Sequence, residues 1–283
     1  MNSSIKRRKI ISNIFAYLIL ILFSLISLYP ILNVLSVSLR PYNRVFVTSL
    51  RIIPEDASLE NYYVLFTKRP FLRWMLNSII VSVSVSIIGV AVASLAAYGF
   101  SRFKFIGRQI SLLSFLVTQM FPPAMFLIPI YLLLNKFNLL DSFRGLIIPY
   151  IPLVLPMAVW ILKGYYDSIP IDLEEAARID GATLLGAFYR IVLPLASPAL
   201  VITFLFSFMS AWSEYIIARV VLSKVELFTL PLGLANLIIN EFQTDWGTYS
   251  AGALIVTIPV LIIFLSISKY IVGGLTLGGV TGE

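Results

Sequence analysis

Long uncharged apolar runs alternate with shorter charged stretches along this chain, and the lengths of the runs set the elements to expect. The first runs from Ile10 to Leu39, behind the basic cluster Lys6, Arg7, Arg8 and Lys9. A cleavable signal has an apolar core of about 7–15 residues, whereas a helix crossing a bilayer needs about 20. This run therefore predicts a retained span over residues 11–39, kinked or ended in its regular part by Pro30. Residues 40–74 are polar and carry Pro41, Pro54 and Pro70, with a short amphipathic helix predicted around Ser58 to Tyr63, lying on the membrane surface.

Further runs predict spans over residues 75–100, 110–135, 145–162, 197–220 and 247–268. The first of these holds Ser82, Ser84, Ser86, Gly89, Ala91, Ala93, Ala96, Ala97 and Gly99, small residues of the kind that let helices approach closely in lipid. The next is interrupted by Pro122, Pro123 and Pro129, which predicts a broken helix. Backbone carbonyls freed at membrane depth face protein or a water-filled path, so this span is a candidate lining of a pathway; a kink packed against neighbours fits equally well. Pro149, Pro152 and Pro156 make the span over residues 145–162 short and bent in expectation. Ser210, Ser213 and Glu214 close the following one and are further pathway candidates. Glu214 and Arg219 are ionisable residues near membrane depth, but Trp212 and Tyr215 beside them favour a headgroup-level location. Between 220 and 246, Leu230, Leu232, Leu234, Leu237 and Ile238 suggest an apolar surface, and the glycines of residues 269–283 argue that no helix continues there.

Another long charged interruption covers residues 163–196. Asp172 stands three residues before Glu175, which reads as an N-cap with its capping-box partner and a helix starting at Leu173. Leu173, Ala176, Ala177 and Asp180 would share one face, and Gly181 can take the positive φ that ends a helix abruptly. A second helix is expected over residues 183–189, with Pro194 and Pro198 closing the unit.

Composition narrows the class. At 59% hydrophobic and 12% charged over 283 residues, the chain is a polytopic membrane protein. It has no cysteine and no histidine, which removes disulfides, thiolate sites and the usual zinc, haem and general-base chemistry, so neither an enzyme nor a metal site is expected. The net charge of +7 comes from Lys and Arg spread over the loops without interleaved aromatics, a pattern suited to anionic lipid headgroups and not to nucleic acid. No G-x4-G-K-[ST] occurs, so nucleotide phosphates have no P-loop here.

Glu175-Ala176-Ala177, Gly181, Ile191, Leu193 and Pro194 fit the spacing E-A-A-x3-G-x9-I-x-L-P, which resembles the coupling loop of permease subunits in ATP-binding-cassette importers. Met120-Phe121-Pro122, Ile128-Pro129, Trp212 to Tyr215, Trp246-Gly247 and Gly273-Gly274-Leu275-Thr276 extend the likeness to the smaller permease of maltose-type carbohydrate importers. The resemblance implies an all-α polytopic membrane bundle: one transmembrane domain over residues 1–283, six transmembrane helices, and a cytoplasmic coupling-helix pair within residues 163–196. It implies transport of a sugar or oligosaccharide by alternating access. Glu174, Glu175, Ala176, Ala177, Asp180, Gly181, Ile191, Leu193 and Pro194 would face the ATPase, with Gly274, Leu275 and Thr276 as tail contacts. The implied partners are a second permease, two ATPase subunits carrying ATP and Mg, and an extracytoplasmic solute-binding protein, with no cofactor on this chain. The plasma or inner membrane would hold it with both termini cytoplasmic, as the basic N-terminal cluster and the loop over residues 102–108 also suggest. The alternatives are an importer of a non-carbohydrate solute, a membrane anchor without transport, and an ion-coupled carrier, which needs a titratable centre near the midplane that these runs do not offer.

Overall fold

The computed structural model describes residues 2–41, 51–238 and 244–278, with side chains for 12–41, 51–238 and 244–268. Among the described residues every regular element is helical. Among the described residues four helices are long and apolar enough to cross a membrane, or up to six spans if each of two bent pairs is one. Contacts divide the chain into two units, residues 1–70 with 236–255, and residues 71–235 with 256–283.

The first unit contains α1 (Asn2–Ser38), α2 (Glu60–Lys68) and the start of α13 (Trp246–Gly278). Its polar joint is Asn61, whose Nδ2 donates to the carbonyls of Ser38 and Arg40, at 2.9 Å each. A Cβ on Gly247 would stand 2.5 Å from that nitrogen, so only glycine lets α13 pass Asn61. Asp245 opens α13 by accepting from the backbone N and Oγ1 of Thr248. Pro30 lies inside α1 and does not end it, and the apolar side chains of α1 from Ile14 to Ile31 are largely exposed, as a lipid-facing helix allows.

The second unit is organised by α3 (Phe71–Arg102), α6 (Phe143–Asp167) and α10 (Ser197–Trp212), which pack mutually. Helix α3 buries a stripe through Val81, Ser82, Val85, Ser86, Gly89, Ala93 and Ala97, the i, i+3, i+4 pattern of a packed face. Its small residues set the spacing: a Cβ on Gly89 would lie 2.8 Å from Val154 Cγ2 of α6. Ser94 and the Tyr166 hydroxyl join the two helices at 2.7 Å.

Several boundaries differ from expectation. Helix α6 is continuous over 25 residues with all three prolines inside it, where a short bent span was expected. Proline's fixed φ is itself helical, and Ser142 caps the start by accepting from Gly145 N. The span expected over residues 197–220 stops at Trp212 and resumes as α11 (Ile216–Val221). The Gly-rich tail stays helical to Gly278, with no proline between Pro259 and Gly278 to end it. The side chains of Gly274, Leu275 and Thr276, like residues 279–283 entirely, lie outside the described residues. The break at Pro122 is where it was expected: α4 (Arg108–Thr118) and the segment Pro123–Lys136, which ends in α5 (Leu127–Lys136), meet at 95°.

Candidate functional site

Beyond Asp167 the chain turns through Ser168 and Ile169 and enters α7 (Asp172–Ile179). The expected cap at Asp172 is absent. Ile171, following Pro170, is already in the helical region, and its carbonyl accepts from the N–H groups of Glu174 and Glu175. Asp172 is thereby drawn into the first turn, one residue too late to cap, and contributes only its charge to the helix N-terminus.

The end of α7 is a Schellman turn. Gly181 N donates to the Arg178 carbonyl and Ala182 N to the Ala177 carbonyl, with Gly181 at φ +89°. Thr183 is extended and its hydroxyl accepts from Gly186 N at 3.0 Å, capping α8 (Leu184–Ala187). The helix expected over residues 183–189 instead runs on through a π-turn at Phe188–Val192 and α9 (Leu193–Leu195), then bends by 78° into α10. The π-turn directs Phe188 inward, where its ring meets Tyr98 at 4.6 Å and the edge of Tyr166 at 6.3 Å. Ile191 and Leu193 are half-buried behind it, and Pro194 is exposed.

The outer surface of this segment is apolar. Ile179 is 87% exposed, and Ile171, Leu173, Leu184, Leu185 and Tyr189 are exposed as well. Glu175, Ala176, Asp180 and Gly181 share that surface, with Ala177 half-buried. Glu174 alone of α7 points inward and is buried. It accepts from Arg102 Nε at 2.5 Å and from the Tyr98 hydroxyl at 2.6 Å. Sequence reasoning missed Arg102 and Tyr98; the available signal was an arginine closing an otherwise uncharged run, Met75 to Ser101.

The pathway candidates separate. Ser210 lines a cavity of about 480 Å³ between α4, α6 and α10, together with Gln119, Met157, Thr203, Ser207 and others. Of these polar residues only Ser210 was singled out from the sequence. Pro122, Pro123 and Pro129 are exposed at and after the helix break, outside that lining. Ser213 returns its hydroxyl to the Met209 carbonyl. Glu214 caps α11 by accepting from Ile217 N at 2.7 Å and Ala218 N at 3.1 Å, and it also accepts from the Tyr150 hydroxyl. Its carboxylate thus closes the gap after Trp212 and is held by the helix start it serves. Leu230, Leu232 and Leu234, expected as an apolar surface, are buried: α12 (Leu230–Ala235) lies against α3, with Gly233 on the Trp74 ring. Leu237 is also buried, and Ile238 is exposed.

Comparison with known proteins supplies the context for this geometry. Residues 89–276 match the sequence pattern of the family described as "Binding-protein-dependent transport system inner membrane component". The galactooligosaccharides transport system permease protein of Bacillus subtilis (strain 168) is 35% identical over 285 residues, covering 100% of both chains. The maltodextrin transport system permease protein of the same organism is also 35% identical, over 283 residues and 100% of both chains. Among solved structures, a chain from the crystal structure of a bacterial ABC transporter involved in the import of the acidic polysaccharide alginate aligns with a TM-score of 0.77 and 26% identity. That alignment covers 93% of this chain and 98% of the other.

Proposed function

This chain belongs to the family of binding-protein-dependent transport system inner membrane components, and we propose that it is the permease subunit of an ATP-driven sugar importer. The observation that carries the reading is identity of 35% along the whole length of permeases named for oligosaccharides. The similarity runs from end to end and so extends over every stretch a permease would use. Counting each bent helix pair as one span gives six, with both termini on the cytoplasmic side in the orientation favoured by Lys6 to Lys9 and by Arg102, Lys104 and Arg108.

In this reading the exposed face of α7 and α8 meets an ATPase subunit. Ile179, Leu173 and Leu185 provide apolar contact area, Glu175 and Asp180 provide charge at its rim, and the Gly181 turn fixes the angle between the helices. ATP and Mg belong to that partner, since this chain has no P-loop. A second permease completes the pathway, and an extracytoplasmic binding protein delivers the sugar. The cavity beside α10 offers Gln119 and Ser210 to sugar hydroxyls and Met157 and Phe206 to the apolar faces of sugar rings.

The test is uptake by the complete assembly reconstituted with its binding protein and supplied with labelled maltodextrins, galactooligosaccharides and a panel of amino acids and peptides. Uptake of at least one oligosaccharide, and of no amino acid or peptide, is the expected outcome. Uptake confined to an amino acid or peptide contradicts the carbohydrate assignment.

A further inference from the structure

Helix α7 is built inside out. Its single buried side chain is a carboxylate, that of Glu174, while the apolar Leu173 and Ile179 are exposed. A helix of eight residues has little stability of its own, and most helices of this size are held by an apolar face, which this one turns outward. Its attachment is polar instead. Arg102 and Tyr98 each take one oxygen of Glu174, at 2.5 and 2.6 Å, and the Arg102 and Glu174 side chains are 8% and 7% exposed. The same guanidinium donates from Nη2 to the Ile169 carbonyl and from Nη1 to Ser101 Oγ, both at 3.1 Å. Ser101 in turn donates to Asp167, which also pairs with Lys163. Arg102 is the last residue of α3 and Asp167 the last of α6. One polar cluster, buried at Arg102 and Glu174 and exposed at Asp167, therefore ties α7 to the ends of the two helices that form the centre of the unit.

We propose that the Arg102–Glu174 pair is the joint through which displacement of α7 is passed to α3 and α6, so that Arg102 and Glu174 are positioning residues for coupled transport. The proposal rests on the reading of α7 as the ATPase-facing helix. Apolar contacts slide past one another at small cost, because each atom exchanges one neighbour for a similar one. A buried charge pair does not slide: a shift that parts it leaves two desolvated charges with neutral partners only, the Tyr98 hydroxyl for Glu174 and the Ile169 carbonyl and Ser101 Oγ for Arg102. The close approach of α3 and α6 at Gly89 and the Ser94–Tyr166 bond mean that a push on Arg102 is delivered to both helices together. The neighbouring glutamates divide the work, Glu174 gripping the permease and Glu175 facing the partner.

The experiment uses the complete assembly and measures sugar transported per ATP hydrolysed, stimulation of hydrolysis by loaded binding protein, and the thermal unfolding midpoint. Arg102→Gln and Glu174→Gln, each leaving the other buried charge without its counter-charge, are expected to lower the midpoint and to reduce both coupling measures about tenfold. The double variant, with neither charge, is expected to regain the midpoint but not the coupling. A joint produces that split, and a merely stabilising pair does not. If the single variants fail to assemble, the double variant and Tyr98→Phe decide, the latter expected to lower transport per ATP about twofold to threefold. Parental transport per ATP in the double variant overturns the proposal, as does a loss in the single variants that only tracks the amount of assembled protein. A parent assembly that shows no ATP-driven transport removes the functional reading itself, and the joint with it.

Discussion

Gly181 is the residue at which backbone conformation and surface shape meet. Its φ of +89° lies where a β-branched side chain is strained, and a Cβ built on it meets nothing within 4 Å. The cost of Gly181→Val inside this chain is therefore backbone strain alone, about 1–3 kcal/mol, relieved by unwinding the Schellman turn between α7 and α8. Gly181→Asn, which tolerates the left-handed region, should lose much less. The expected outcome is that the valine variant purifies with markedly less ATPase subunit than the parent, while the asparagine variant stays close to it; stoichiometry on a stained gel suffices as the measurement. Thr183→Val, although one turn edge away, is not a neutral control, because Thr183 is extended and its hydroxyl caps α8. Thr183→Ser keeps that hydroxyl and is the control to use.

Among the elements, α12 and the turn before it are held to the start of α3 by directed bonds. Trp74 Nε1 donates to the Val225 carbonyl, Asn77 Nδ2 donates to the carbonyls of Glu226 and Phe228, and Ser78 Oγ accepts from Leu230 N at 2.7 Å. Replacing Asn77 with leucine leaves two carbonyls without their donor, at about 1–3 kcal/mol each where burial is complete. Limited proteolysis should then cut the Asn77→Leu variant within residues 222–229 faster than the parent, with the spans unaffected; equal rates would show that the bonds do not hold the turn. These attachments were illegible in the sequence, because Asn77 and Glu226 are 149 positions apart and neither sits in a local pattern. The same holds for Arg102 with Glu174. What could be read was local: Pro122 and Pro123 announced the 95° break, and Gly181 announced the turn, since proline and glycine act on the backbone at their own position. Local signals also misled. Proline within α6 was read as making a short, bent span and glycine near the end of α13 as stopping the helix, and the surrounding residues carried both helices through. The leucines of α12 have no periodicity that tells an outward face from an inward one, and α3 decides the matter by covering them.

For the whole molecule, the function proposed above is that of a membrane bundle with no P-loop sequence, driven through α7 and α8 by a separate ATPase. Glu214, an acidic residue near membrane depth, is engaged as a helix cap. The measurement that tests this most directly is sugar uptake into sealed vesicles containing the assembly, with binding protein outside and ATP inside. The account predicts uptake that requires internal ATP, stops with a non-hydrolysable analogue, and keeps its rate when ionophores collapse the proton and sodium gradients. Uptake that proceeds without ATP and is abolished by the ionophores would contradict it.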